Sequence, residues 1–443
     1  MSIRAVVTGA FHFGAGAGAA KLLGILRDIY IARVFGLGEQ VDAYLLAQTM
    51  AMLPLSVIFL SLQPVLTTAI ARRTQVEEVS VPRDLAKIIG MGFIALALAT
   101  LVIWFALPRF LMALAERPNF VLIDGTRVAY AWIVAGAFCS AVSTLGYAVL
   151  HSRGKMLSSG LLPGLVPSVM VVLLAVMLPA SSAGNLGCAL FLGYVAEMSV
   201  VILAVVRLGG VRVVPAETRG TGAKLSRQVY PLMLGMLMAG ACPLIEQSFA
   251  VGLGAGAVSA LGFAYRIPAA LGGLASSALS AAFLPVVAGQ LGAGHIAVAR
   301  RTFRRSAGAM FLLAAIVALL LWTWSDVIIG LLFLGGKFRP EDSERVSLLQ
   351  GILAFGIPGA VVAAIAGRVL IALSIRLMHL LVPLFTVGAI FGLNSVLVPI
   401  FSVEGIALAN VVAMSLAASI TVMGAEIYLR RVGPAPVNAA TLS

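Results

Sequence analysis

Residues 306–325 read SAGAMFLLAAIVALLLWTWS, a run without a single charge, entered behind Arg300, Arg301, Arg304 and Arg305 and left at Asp326. A helix rises about 1.5 Å per residue, so a run of this length crosses a hydrocarbon core about 30 Å thick. Similar apolar runs recur from one end of the chain to the other. Cutting at the polar breaks places spans near 5–33, 41–70, 88–113, 127–150, 158–179, 184–206, 229–250, 255–288, 306–334, 346–372, 377–400 and 404–429. None shows the alternation of apolar and polar residues that a membrane β-barrel strand needs. The expected fold class is therefore an all-α polytopic membrane protein of about twelve transmembrane helices.

Composition agrees. With 61% hydrophobic and 11% charged residues and a mean hydropathy of +1.08, the chain has too little polar surface to cover its apolar mass as a soluble globule. Cys139, Cys188 and Cys242 lie inside apolar segments without metal or redox spacing, and His12, His151, His295 and His379 are equally scattered. No metal site, no catalytic constellation and no enzyme activity is expected. The opening Met1-Ser2-Ile3-Arg4 runs into a Gly/Ala-rich span without a convincing cleavage site, so the first helix is expected to be retained.

The net charge of +13 is explained by placement rather than by nucleic acid. With the N-terminus in the cytoplasm, 19 of the 30 basic residues fall in cytoplasmic connections and 6 in outer ones. The positive-inside rule thus expects both termini in the cytoplasm of a bacterial inner membrane. The loop clusters at 72–87, 207–227 and 300–305 read as orientation signals, with binding of anionic lipid as the alternative.

The halves repeat. Phe35-Gly36-Leu37-Gly38 resembles Val251-Gly252-Leu253-Gly254, and the span after each ends in a basic segment, Ala71-Arg72-Arg73-Thr74 and Ala299-Arg300-Arg301-Thr302. An offset of six spans keeps both halves in one orientation. The expected arrangement is two parallel six-helix lobes, 1–206 and 229–443, joined by a cytoplasmic linker at 207–228.

Charges at membrane depth are costly and mark function by default. Span one carries Lys21, Arg27, Asp28 and Arg33; Lys21 and Asp28 share a face, Arg27 points elsewhere, and Arg33 reads as an interfacial anchor. Glycines at 14, 16, 18 and 24 allow bending or close helix approach. Arg266 lies inside span eight beside Pro268, which should break the helix. It either pairs with Glu246 or lines a substrate cavity. Glu197 and Glu426 are further acids within spans, and Glu246, near the middle of its own, is the leading candidate for a coupling ion. Several cations facing one cavity suit a pyrophosphate or several carboxylates, because the guanidinium fork offers paired donors.

KLLGILRDIYIARVFG at 21–36 with Val41-Asp42-Ala43-Tyr44, Ala264-Tyr265-Arg266-Ile267-Pro268 with Phe283-Leu284-Pro285, and LLFLGGKF at 331–338 with Glu341-Asp342 carry a family resemblance. Together they resemble the MurJ (MviN) lipid II flippases of the multidrug/oligosaccharidyl-lipid/polysaccharide superfamily. The resemblance implies that Lys21, Arg27 and Arg266 bind pyrophosphate in a central cationic cavity, with Asp28 and Asp42 supporting. It also implies a cation site for which Glu246, Asn394 and Asn410 are candidates, with Na+, H+ or the membrane potential as the driving force. The expected partners are a lipid-linked glycan and membrane lipids, acting on a monomer. Two departures stand out: the second span lacks the family's arginine past its proline, here Pro54, and the spans counted end at the twelfth, before the family's usual C-terminal pair. Both leave room for an exopolysaccharide or O-antigen repeat unit as substrate. A multidrug exporter would take cations that Lys21, Arg27 and Arg266 repel. A membrane glycosyltransferase would need a sizeable extramembrane loop with clustered acids or histidines.

Overall fold

The structure, a computed structural model, describes residues 3–71, 79–114, 120–177, 182–214, 221–373, 375 and 377–431. Its helices are α1 (Ile3–Phe35), α2 (Glu39–Leu55), α3 (Ser61–Ala71), α4 (Arg83–Leu114), α5 (Phe120–Ser152), α6 (Met156–Leu161), α7 (Leu165–Met177) and α8 (Ala183–Arg207), then α9 (Thr221–Val251), α10 (Ala257–Gly292), α11 (Ile296–Thr323), α12 (Ser325–Phe333), α13 (Pro340–Ala354), α14 (Gly356–Ala372) and α15 (Met378–Arg431). A π-helical turn, Ser56–Leu60, joins α2 to α3 into one continuous span. Two short strands, β1 (Val79–Pro82) and β2 (Val211–Val214), pair in parallel.

Ten helical stretches among the described residues are long and apolar enough to cross a membrane. The last of them, Leu380–Arg431, holds two spans, because Ser402 interrupts the helix with φ 52° and ψ −129°. The first helix, with Lys21, Arg27, Asp28 and Arg33 inside it, lies outside those ten. Adding it and dividing the last stretch gives the expected set of about twelve spans.

Several expectations change. Pro268 does not end its helix: α10 runs unbroken from Ala257 to Gly292, since in a membrane helix the carbonyl freed by a proline finds other partners. Arg300, Arg301, Arg304 and Arg305 form no loop but sit in the first turns of α11. The 207–228 segment, expected to join the lobes, holds β2 and the start of α9. The stretches 306–334 and 346–372 each divide, at Trp324 and Phe355. Arg72, Arg73, Arg117, Arg219 and Arg376 lie outside the described residues, as do the side chains of Arg4, Lys224, Arg227, Leu284, Pro285 and His379.

The chain forms two compact units, one of residues 8–263 with 328–346 and one of residues 1–7, 264–327 and 347–443. In the first, Leu62, Val65, Leu66 and Ile70 of α3 pack on Leu85, Ala148, Val149 and Val229, and Phe59 stacks obliquely on Phe93 at 4.7 Å. Here α1 crosses α6 through facing glycines. A Cβ on Gly16 would stand 2.7 Å from the Leu157 carbonyl oxygen, and one on Gly160 would stand 2.6 Å from that of Phe13. Small residues at a membrane crossing let backbones approach, so Gly160→Leu is expected to cost about 1–3 kcal/mol by overpacking. A fall in the thermal midpoint of the purified protein, against no change for Gly14→Ala, whose Cβ meets nothing, would check this. The second unit centres on Phe283, Val287, Phe303, Ile365, Ala366, Val369 and Leu370 with Ala425 and Leu429.

Candidate functional site

The first unit buries an ion pair in the C-terminal half of α1. Arg27 is 9% and Asp28 3% exposed, and the Arg27 guanidinium donates from Nε (3.0 Å) and Nη2 (2.8 Å) to Asp28 Oδ1. Asp28 therefore turns to its chain neighbour, whereas the face pattern grouped it with Lys21. A guanidinium has five N–H donors, and two are committed to Asp28. Tyr44 lies on α2 and Tyr194 on α8. The Tyr44 hydroxyl meets Met170 Sδ at 4.0 Å and the Tyr194 hydroxyl meets Met52 Sδ at 3.8 Å. Lys21 is half-buried on the same helix, while Leu22 and Leu26 point outward.

Asp42, 3% exposed on α2, reaches the start of another helix. Its carboxylate accepts the backbone N–H of Gly256 (2.6 Å, Oδ2) and of Ser259 (2.7 Å, Oδ1). Those donors belong to the first turn of α10, where N–H groups have no partner within the helix and the helix dipole favours an anion. The loops before the two helices abut as well: a Cβ on Gly256 would stand 3.3 Å from that of Leu37. The Leu37-Gly38 end of the first Gly-Leu-Gly turn thus lies against Gly256, two residues past the second.

Arg33, exposed near the end of α1, closes the end of α12. Its guanidinium donates to the carbonyls of Leu332 (2.9 Å) and Leu331 (3.4 Å), and its own carbonyl accepts from the Lys337 N–H at 2.8 Å. Gly336 is required there, since its φ is +61° and a Cβ would collide with the Arg33 carbonyl oxygen. Phe338 and Phe333 pack on Phe263 at 6.5 and 5.8 Å between ring centroids. Three segments far apart in sequence, 27–44, 251–263 and 331–338, are thereby brought together in one unit.

The other candidates lie on later helices. Glu246 is buried in α9. In the second unit Arg266 is half-buried on α10, and Asn410 is 8% exposed on α15. Asn394, fully buried on α15, donates to the Ile390 carbonyl at 2.8 Å, while its Oδ1 has no hydrogen-bond partner. Two polar arrangements escaped the sequence. Tyr147 donates to the buried Glu197 at 2.6 Å between α5 and α8, and Glu426 gathers Arg300 (2.6 Å), Arg304 (2.6 Å) and Arg430 (3.1 Å). Only the four-residue spacing of Glu426 and Arg430 could have been read in advance.

The sequence profile of the MurJ lipid II flippase family matches residues 133–431. The chain belongs to this family. A probable lipid II flippase MurJ of Rhizobium tropici is 30% identical over 158 residues, which cover 36% of this chain and 30% of that protein. The alignment thus spans less than a third of the curated relative's length. Among solved structures, a lipid II flippase MurJ in an inward closed conformation superposes with a TM-score of 0.74 at 16% identity, covering 95% of this chain and 91% of that one. An inward-facing MATE multidrug transporter of the same superfamily gives 0.70 at 14% identity, with 95% and 98% covered. The protein is a multi-pass membrane protein with the helical fold that MurJ and MATE transporters share. That fold serves both kinds of transporter, so substrate must be argued from side chains. Arg266, Glu246, Asn394 and Asn410 lie inside the MurJ match; Lys21, Arg27 and Asp42 precede it.

Proposed function

We propose that this protein flips a polyprenyl-pyrophosphate-linked glycan, of the kind represented by lipid II, from the cytoplasmic to the periplasmic leaflet by alternating access. The observation that carries the reading is Arg27, buried in the C-terminal half of α1 and held by Asp28. A fixed guanidinium there offers paired donors to a pyrophosphate, and the same charge disfavours the cationic amphiphiles a multidrug exporter would carry. In this reading Lys21 and Arg266 complete the pyrophosphate contacts, and Asp28 and Asp42 support them. The lipid tail stays in the bilayer, and no bond is made or broken. The lobes 1–206 and 229–443 rock about the site. Glu246, Asn394 and Asn410 are proposed for the coupling cation; the buried, unpartnered Oδ1 of Asn394 supports this. The charge distribution supports both termini in the cytoplasm; family membership supports a bacterial inner membrane, and two lobes in one chain, which supply a complete pathway, support a monomer.

Native mass spectrometry of the purified full chain tests the substrate class. Lipid II is expected to bind, and Arg27→Ala and Arg266→Ala should each weaken it at least about tenfold, the loss of one to two charge-assisted hydrogen bonds. Equal binding of sugar-free undecaprenyl pyrophosphate would place recognition in the pyrophosphate and favour other lipid-linked glycans equally. If neither lipid binds, or the arginines make no difference, the proposed substrate class is wrong.

A further inference from the structure

A second feature of the first unit has no place in the flipping reading. Segments α3, α4, α5, α8 and the start of β2 enclose a cavity of about 380 Å3 whose lining, including Leu66, Ile89, Leu145, Val149, Val205 and Val206, is apolar throughout. Ile202, Val206 and Val211 on its wall are 44%, 61% and 43% exposed, so the cavity opens at the surface. Water does not fill an apolar space of this kind. In a bilayer, hydrocarbon does.

Cations stand at the same end. Arg207 follows Val206, Arg212 follows Val211, Lys87 follows Ala86, and Arg83 lies one turn before Lys87 on α4; all four are exposed. Asp84 is the one acid beside them among the described residues of these segments. The arrangement is built rather than incidental. Gly209 and Gly210, with φ of 95° and 70°, turn the chain out of α8 into β2, and β2 pairs with β1 from Val79↔Val211 to Pro82↔Val214. That pairing holds the two basic segments, distant in sequence, at the mouth of one apolar cavity.

We propose that this cavity seats one anionic phospholipid, with an acyl chain inside and its phosphate on Arg207, Arg212, Arg83 and Lys87. Phospholipid fits better than a free phosphate because the apolar volume and the cations adjoin, and a soluble anion would leave the cavity unfilled. The bound lipid would brace the β1–β2 pair against α4 and α8, independently of whatever substrate Arg27 holds.

The test is native mass spectrometry of the full-length protein titrated with phosphatidylglycerol, with phosphatidylcholine of the same chains, and with glycerol phosphate. Each cation near a headgroup contributes about fivefold in affinity. Arg207→Gln/Arg212→Gln is therefore expected to weaken phosphatidylglycerol about 25-fold and to leave phosphatidylcholine unchanged. Val206→Trp, at an exposed position on the cavity wall, should weaken both lipids. Equal binding of the two lipids by wild type, or indifference to both variants, would overturn the proposal. So would competition by glycerol phosphate as strong as by phosphatidylglycerol, which would make the chain irrelevant. Displacement of phosphatidylglycerol from this site by undecaprenyl pyrophosphate, lost in Val206→Trp, would also overturn it and assign the cavity to the transported lipid.

Discussion

Arg27→Ala is expected to weaken binding of the proposed lipid-linked pyrophosphate at least about tenfold and to lower the protein's stability by about 3–5 kcal/mol, the cost of leaving one member of a buried ion pair behind. The two losses have different origins. Stability falls because Asp28, 3% exposed, keeps a desolvated carboxylate without the donors that Arg27 Nε and Nη2 supply. Binding falls because the remaining face of the guanidinium is gone. Two further variants separate these effects. The double substitution Arg27→Ala/Asp28→Ala removes both charges, so its thermal midpoint should recover most of the loss while lipid binding stays weak. Arg27→Lys keeps a charge but offers only one nitrogen at its tip. It should fold with a midpoint near wild type and bind the pyrophosphate about tenfold more weakly or worse, because at least one charge-assisted bond is lost. Thermal scans paired with native mass spectrometry read both quantities on the same samples. Wild-type lipid affinity in the double variant would remove Arg27 from the site and leave the pair a purely structural one.

Why the sequence disclosed Arg27 and not its surroundings follows from range. A charge inside an apolar run is visible in one dimension, since the cost of burying it depends on the run alone. So are the number of spans and the two Gly-Leu-Gly motifs, of which Gly36, first in its copy, and Gly254, second in the other, take positive φ. Pairings across the fold are not visible. The partners of Asp42 lie at 256 and 259, those of Arg33 at 331 and 332, and those of Glu426 at 300 and 304. In each case a polar side chain answers backbone or charged groups that only the packed chain brings near. The two strands were legible in composition, as Val79-Ser80-Val81 and Val211-Arg212-Val213 are β-branched tracts between helices. Their length hid them, because four residues form a strand only when a partner is present, and the partner lies 132 residues away. Pro268 misled for a related reason: a proline rule drawn from soluble helices assumes that the freed carbonyl must find water.

Asp42→Ala should produce the second large effect, on conformation more than on binding. The substitution strands the N–H groups of Gly256 and Ser259, now bonded at 2.6 and 2.7 Å, and each buried donor left without an acceptor costs about 1–3 kcal/mol. The loss falls on the junction where segments 27–44, 251–263 and 331–338 meet, held otherwise by the Arg33 bonds to Leu331, Leu332 and Lys337 and by the Phe263, Phe333 and Phe338 rings. In the alternating-access reading proposed above such a junction belongs to one end of the cycle, and a loss of about 2.7 kcal/mol shifts a two-state equilibrium about a hundredfold. Spin labels at Glu39→Cys and Arg339→Cys, on α2 and on the loop before α13, report the separation directly. Wild type is expected to give one narrow distance population. Asp42→Ala should add a second, longer one, and Asp42→Asn, which keeps one acceptor oxygen but no charge, should fall between them. Identical distance distributions in all three, with unchanged thermal midpoints, would show that the carboxylate caps α10 without holding the junction closed.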